Sequence, residues 1–229
     1  WKEIYQSKLT TAEEAIKLIN DGDKVVTGFG CGEPFAIERA LVDNYQNYHD
    51  VQIVNMLTLG DSPWCRPEMK GHFTLNCLFA SQSNRKAISL GVSEFTTSHF
   101  YEIPDLIKNY IRPRVTIVMV SPPDEHGYVS FGTTVDYTRG TADYCDIKIA
   151  QVNKYMPRTF GNSFMHIRDF TCFVEHDEPL PEVKAVEISD TEMEIGKYCA
   201  SLINDGDCLQ LGIGGIPNAV CAQLWDKKD

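Results

Sequence analysis

Apolar and polar residues occur in blocks that predict strands separated by helices. The run of β-branched and other apolar residues over 115–120 is typical of a strand covered on both faces. A threonine pair followed by an acidic first turn at 10–14 predicts the start of a helix that ends near residue 20. The same reasoning predicts strands over 24–29, 51–57, 128–131 and 146–152, a short strand over 77–80, and helices over 35–41, 104–110 and 191–203. This alternation predicts an α/β fold, with a mostly parallel sheet and covering helices.

Two segments, 18–23 and 202–207, have the identical sequence Leu-Ile-Asn-Asp-Gly-Asp. The residues after them match in kind, with Gly28 corresponding to Gly212, Gly30 to Gly214 and Pro34 to Pro217. We interpret this as an internal repeat of helix, turn, strand, glycine loop and helix. A common helix–turn–strand junction reused by chance would explain the turn but not the spacing after it.

A charged, proline-rich segment over 175–183 suits a linker between two lobes. The sequence therefore predicts a first lobe over 1–180 and the start of a second lobe over 181–229. Few residues follow the second glycine loop, so we expect either a short docking arm or, preferably, a natural chain that continues.

The composition is that of a globular protein, with 43% hydrophobic and 23% charged residues among 229. The formal net charge of −11 disfavours nucleic-acid and membrane-surface binding, although a local basic pocket for a phosphorylated small molecule stays compatible. Neither an apolar stretch of about 20 residues nor a signal-peptide core is present, which favours a cytoplasmic protein.

The eight cysteines form no Cys-x-x-Cys pair and have no metal-site spacing with histidine. This pattern favours reduced, mostly buried thiols over disulfides or a zinc site. We accordingly expect no metal and no permanently bound cofactor.

The sharpest candidate for binding is the glycine loop over 210–217. Glycines after a strand allow close backbone approach to a ligand, and free N–H groups at a following helix start can bind phosphate or an oxyanion. A dinucleotide-binding loop would need a third glycine where Pro217 stands. A purely structural glycine turn is the other alternative.

Three side chains have two interpretations each. Glu33 is either a functional carboxylate or, preferably, a cap for the next helix. His126 lies in a turn-rich loop, where a solvated histidine is favoured over a general base. Asn153 either lines a cleft or caps a turn.

Several segments together resemble the acetyl-CoA hydrolase/transferase family, especially its 4-hydroxybutyrate and butyryl CoA-transferase branch. They follow the family's order over nearly the whole chain. The segments are 1–5 (WKEIY), 57–60 (LTLG), 118–127 (VMVSPPDEHG), 152–161 (VNKYMPRTFG) and 209–220 (LQLGIGGIPNAV).

The resemblance implies a two-domain CoA-transferase fold of the NagB/RpiA type and a dimer. It implies ping-pong transfer of CoA, as a substrate, between a short-chain acyl-CoA and a carboxylate through a glutamyl-CoA thioester. The residues it assigns to CoA contact are Gly212, Ile213, Gly214, Gly215 and Ile216. No position matches the family's nucleophilic glutamate, so no catalytic residue is assigned, and the 229 residues alone are expected to be inactive. An acyl-CoA hydrolase and a non-catalytic ligand-binding lobe are the alternatives.

Overall fold

The computed structural model describes residues 1–184 and 187–228, and the chain forms two compact units, Trp1–Glu182 and Val183–Asp229. The division of the natural protein into domains at residue 180 stays a prediction. Within the described ranges, every helix is too short or too polar to cross a bilayer.

The larger unit is built on a seven-stranded sheet whose neighbouring strands are all parallel. Its strands are β1 (Lys24–Thr27), β2 (Val51–Asn55), β3 (Phe73–Cys77), β4 (Glu94–Phe95), β5 (Val115–Val120), β7 (Ile147–Val152) and β9 (Cys172–Glu175). The order across the sheet is β4-β3-β2-β1-β5-β7-β9. Two further strands, β6 (Tyr128–Ser130) and β8 (Phe164–His166), form a separate antiparallel pair. The predicted parallel α/β architecture is therefore confirmed.

Helices connect the strands, and most predicted helices are present. The α-helices of the described ranges are α1 (Lys2–Lys8), α2 (Ala12–Ala15), α3 (Phe35–Asp43), α4 (Arg85–Ser89), α5 (Ile103–Leu106), α6 (Tyr137–Tyr144), α7 (Asp190–Ala200) and α8 (Gly215–Cys221), and a π-helix over Ile107–Ile111 continues α5. Thr11 caps α2 by accepting a hydrogen bond from the amide of Glu14. Ser189 and Glu192 form a reciprocal capping box at the start of α7.

Alternate residues of the central strands point to opposite faces of the sheet, and both faces are buried. One apolar cluster contains Val25, Ile53, Ile117 and Ile149. The residues that follow them along the strands belong to the clusters on the other side, namely Val118 and Ala150 in one and Val26 and Val54 in another. All six residues of β5 are buried, which confirms the predicted strand with two covered faces.

Two strand predictions need correction. The strand expected over 77–80 lies instead at Phe73–Cys77, because pairing with β2 sets Val51 opposite Phe73 and Asn55 opposite Cys77. The excursion after β5 does bring Ser130 back beside Ser121, but β6 pairs with the distant β8 rather than forming a simple hairpin.

The first copy of the repeated sequence forms a tight turn before β1. The amide of Asn20 donates to Asp23 Oδ2 at 2.7 Å, and Gly22 has a φ of +75°, which favours glycine. The Gly22 amide donates to the carbonyl of His49 at 3.0 Å, while the His49 amide donates to Asp21 Oδ1 at 2.8 Å. The turn is thus fixed to His49, two residues before β2.

The second copy makes the corresponding bonds within the smaller unit. The amide of Asn204 donates to Asp207 Oδ2 at 2.7 Å, and Gly206 has a φ of +82°. The Gly206 amide donates to the carbonyl of Lys228 at 3.0 Å, and the Lys228 amide donates to Asp205 Oδ1 at 3.1 Å. The identical residues therefore build the same turn twice, which supports the internal repeat.

The strand predicted after the second turn is wrong for this structure. Residues 208–211 belong to no strand, and most of the segment from 208 to 216 is exposed. A strand is stabilised by hydrogen bonds to a neighbouring strand. The smaller unit, as far as it is described, contains only the helices α7 and α8 and no such neighbour.

Candidate functional site

The carboxyl edge of the parallel sheet is the natural place for a site in the larger unit. The chain runs outward from β1 to β4 and then returns to the other side of β1 as β5. Open parallel sheets bind ligands outside the carboxyl ends of their strands where the order reverses. The loops over 28–34 and 121–127 follow β1 and β5 at this position, so the structure brings two sequence-predicted loops to one edge.

Glycines in the loop after β1 are required by close packing. A Cβ on Gly28 would lie 2.3 Å from the carbonyl oxygen of Gly32, and a Cβ on Gly32 would lie 2.4 Å from the side chain of Thr134. The Gly28 amide continues the sheet pattern by donating to the carbonyl of Ile117 at 2.9 Å. These contacts hold the backbone of the loop in place at the carboxyl edge of the sheet.

Glu33 lies in this loop and does not cap α3, so the preferred interpretation of Glu33 as a helix cap is wrong. Pro34 occupies the cap position, and its side chain cannot accept a hydrogen bond from the first amides of the helix. The Glu33 side chain turns inward, is 2% exposed and accepts a hydrogen bond from Thr58 Oγ1 at 2.8 Å. Burial raises the pKa of Glu33 and the nearby Glu38 carboxyl adds to the rise, while the hydrogen bond from Thr58 opposes it.

Glu38 is a second buried carboxyl at the same place, and sequence reasoning missed it. It lies one turn into α3 between buried Ile37 and Ala40, and it lines one small cavity together with Glu33. Burial raises the pKa of Glu38, against the opposing effects of a hydrogen bond with Thr27 and the charge of Arg39. Its Oε1 atom is buried and has no hydrogen-bond partner among the described residues. A glutamate within the apolar stripe of a helix was the available signal.

Asn55 connects the ends of β1 and β2 beside this carboxyl pair. Its Nδ2 donates to Thr27 Oγ1 and to the Gly28 carbonyl, both at 2.8 Å. The hydroxyl of Tyr137 donates to the Thr27 carbonyl at 3.1 Å, from α6. A buried polar network of this kind fixes the edge when every member is bonded.

Asn153 and His126 have structural roles. Asn153 is fully buried, donates to the Glu178 carbonyl at 2.7 Å and accepts from the Tyr155 amide at 3.0 Å. It therefore caps the turn after β7. His126 is exposed in a turn held by the carboxylate of Asp124, as expected for a solvated histidine.

The predicted CoA-contact segment, Gly212, Ile213, Gly214, Gly215 and Ile216, lies in the smaller unit at the start of α8. Ile213 is fully exposed, and Gly214 has a φ of +138° that only glycine adopts readily. A Cβ on Gly215 would lie 2.0 Å from Glu192 Oε1. Backbone conformation thus explains the glycine at 214, and close packing explains the glycine at 215. The loop itself is exposed and could be reached by a ligand.

All eight cysteines are free thiols. Three are buried, three are half-buried and two are exposed, so the expectation of mostly buried thiols holds only in part. Across 1–184 and 187–228, no cluster of three histidine, cysteine or acidic side chains could hold a metal ion.

Solved structures with the same fold define the class as an α/β CoA-transferase fold. A 4-hydroxybutyrate CoA-transferase from Porphyromonas gingivalis matches with a TM-score of 0.86 and 37% identity, covering 100% of this chain and 54% of that one. RipA from Yersinia pestis matches with a TM-score of 0.93 and 31% identity, covering 99% and 55%. The predicted fold class is confirmed.

Residues 1–184 match the acetyl-CoA hydrolase/transferase N-terminal domain, and the chain belongs to this family. It is 44% identical to the 4-hydroxybutyrate coenzyme A transferase of Clostridium kluyveri over 230 residues, covering 100% of this chain and 54% of the relative. It is 32% identical to the butyryl-CoA:acetate CoA-transferase of Anaerostipes caccae, covering 98% and 52%. The chain spans about half the length of these curated relatives.

Proposed function

We propose that these residues form part of a CoA-transferase that moves CoA between a short-chain acyl-CoA and a carboxylate. The observation that carries this proposal is the 44% identity to a 4-hydroxybutyrate coenzyme A transferase along the whole chain. Substrates are 4-hydroxybutyryl-, butyryl- or acetyl-CoA with a short carboxylate acceptor, and the protein acts as a cytoplasmic dimer. CoA is a substrate, and no resident cofactor takes part.

The proposed chemistry proceeds through a covalent enzyme–CoA thioester. A glutamate carboxylate attacks the acyl-CoA carbonyl, giving a mixed anhydride and CoA thiolate. The thiolate then attacks the glutamyl carbonyl, which releases the first carboxylate and leaves glutamyl-CoA. A second carboxylate reverses these steps and takes the CoA. Fixed N–H donors suit the developing oxyanions because they need no reorganisation.

We propose that neither Glu33 nor Glu175 is the nucleophile. Glu33 is enclosed, and its raised pKa makes its neutral form dominant over a wide pH range, so it is a poor nucleophile. Glu175 accepts a hydrogen bond from the hydroxyl of Tyr5 at 2.8 Å. Because no position matches the family's nucleophilic glutamate, we assign no catalytic residue within these 229 positions and propose that the 229-residue chain alone is inactive.

We further propose that Gly212–Ile216 contacts CoA. The exposure of this loop and the conformation of Gly214 support this role, because a side chain there would strain the backbone. Remote contacts of this kind let binding energy from the CoA tail act at the reacting thioester.

The test is a CoA-transfer assay with the natural full-length chain, using butyryl- or 4-hydroxybutyryl-CoA and labelled acetate. We expect labelled acetyl-CoA to form at a rate that depends on acetate. Acetate-independent release of free CoA would identify a hydrolase instead. The absence of both products, with CoA binding retained, would overturn the proposal in favour of a non-catalytic ligand-binding lobe.

A further inference from the structure

Two carboxyl groups lie together beneath the loop that follows β1. Glu33 and Glu38 are 2% and 7% exposed, and both line a small cavity of about 10 Å³. Two buried carboxylates cannot both stay ionised at short range without a compensating cation. The free Oε1 of Glu38 needs a donor, and a proton held between the two groups would supply it.

The pair also joins three separate segments at the carboxyl edge of the sheet. Glu33 accepts from Thr58 Oγ1, in the loop after β2. Glu38 lies near Thr27 at the end of β1, and Thr27 Oγ1 accepts a hydrogen bond from Asn55 Nδ2 at the end of β2. Glu33 belongs to the loop after β1, and Glu38 belongs to α3. The network therefore fixes the loop after β1 against the loop after β2.

We propose that Glu33 and Glu38 share one proton in the folded protein, and that the shared proton positions the β1–α3 loop against the loop after β2. Both glutamates are positioning residues rather than catalytic residues. This inference does not depend on the proposed function, since it concerns the chain's own carboxyl groups.

Other charged groups near the pair do not replace the proton. Arg39 follows Glu38 in α3, but its guanidinium pairs with Glu178 at 3.1 Å. Asp61 lines the same cavity and would add negative charge, although it pairs with Arg66 at 2.7 Å. Tyr137 faces the pair from α6, and its hydroxyl donates to the Thr27 carbonyl. Among the described residues, therefore, no cationic side chain forms a salt bridge with Glu33 or Glu38.

The direct test follows the carboxyl carbons by NMR in protein labelled at the glutamate Cδ. In the wild type we expect one proton to remain on the pair at pH 7. In Glu38→Gln, the titration midpoint of Glu33 should fall by about one pH unit or more, because the like charge is removed. Glu33→Gln should lower the midpoint of Glu38 in the same way. Glu13→Gln, at an exposed position in α2, is the matched control and should move neither midpoint.

Two NMR outcomes would overturn the proposal. Both carboxyl groups could be ionised at pH 7, or each could keep its midpoint when the other is replaced. If a variant fails to fold, proton release on unfolding of the wild type decides the question. A folded pair with one proton releases about one more proton at pH 7 than ordinary glutamates would. Release no greater than that expected for ordinary glutamates would contradict a shared proton.

The positioning role has its own readout. The amide of Gly30 donates to the carbonyl of Leu57 at 2.8 Å and so joins the two loops. Its hydrogen exchange should become faster in Glu33→Ala and should return toward wild type in Glu33→Gln, whose amide oxygen can still accept from Thr58. Equal exchange rates in wild type and Glu33→Ala would show that the carboxyl pair does not position these loops.

Discussion

Arg114 donates two hydrogen bonds to the carboxylate of Asp23, with Nε at 2.8 Å from Oδ1, and a third to the carbonyl of Leu18 at 2.7 Å. This contact ties the first copy of the repeated turn to the beginning of β5. Burial raises the pKa of Asp23, but the hydrogen bonds from Arg114 and the Asn20 amide, with the Arg114 charge, outweigh it and hold the pKa low. The second copy has Asp207 at the same position, where within the described ranges it bonds only to Asn204.

The two copies provide a matched pair of variants. Asp23→Asn should lower the free energy of unfolding by about 1–2 kcal/mol, because it removes a partly buried charged partner of Arg114. Asp207→Asn should change it by less than about 0.5 kcal/mol, since the exposed turn keeps an acceptor for the Asn204 amide. Urea denaturation measures both. Equal effects would show that the Arg114 contact adds nothing to the turn.

Close packing at Gly28 predicts a larger effect. In Gly28→Ala the new methyl would meet the Gly32 carbonyl, so the free energy of unfolding should fall by about 1–3 kcal/mol. Gly60→Ala is the control, because its Cβ would meet nothing within 4 Å. Thermal melts in which both variants have the melting temperature of the wild type would show that close packing at Gly28 does not hold this loop in place.

Two helical glycines should respond in opposite directions. In Gly140→Ala the Cβ enters open space in α6, so the variant should be more stable by about 0.5–1 kcal/mol. In Gly196→Ala the Cβ would lie 2.7 Å from the backbone of Ala219, which should force α7 and α8 apart. Circular dichroism should show a lower melting temperature for the smaller unit in Gly196→Ala. Stabilisation by both substitutions would mean that α7 and α8 do not pack closely at Gly196.

The carboxyl pair predicts a pH-dependent stability. The pKa of Glu33 is raised in the folded state, so its contribution is fully present below the unfolded pKa, about 4.3, and is lost as pH rises through the folded value. Relative to Glu33→Gln, the wild type should lose up to about 1.4 kcal/mol per pH unit in that window. Denaturation curves at a series of pH values measure the difference. If the free energy of unfolding of wild type and Glu33→Gln changes with pH in the same way, the raised pKa of Glu33 is contradicted. The control Glu13→Gln should show the same pH dependence as the wild type.

Local sequence patterns were sufficient for much of the fold. The β-branched run of β5 and the repeated Asn-Asp-Gly-Asp turn determine structure through neighbours in sequence, and both predictions are confirmed. β4 has only two residues, and β8 finds its partner β6 more than 30 residues away, so neither has a clear local signal.

The candidate site was less predictable for the same reason. Glu33 turns into the interior, where its carboxylate accepts a hydrogen bond from Thr58, 25 residues further along the chain. Sequence alone favoured a helix cap, which is a purely local role. Glu38 was not singled out from the sequence, although it interrupts the apolar stripe of α3, and the fold shows that it is buried. The glycine loop over 212–216 was found from its motif, and its contact with CoA stays a prediction.

The central claim is CoA transfer through a covalent enzyme–CoA thioester, and intact-protein mass spectrometry tests it most directly. The natural full-length chain is incubated with butyryl-CoA in the absence of acceptor. We predict a mass gain of one thioester-linked CoA that disappears when acetate is added, while the 229-residue chain alone keeps its mass. A full-length protein that forms acetyl-CoA from butyryl-CoA and acetate without ever gaining this mass, or that gains neither mass nor activity, would contradict the account.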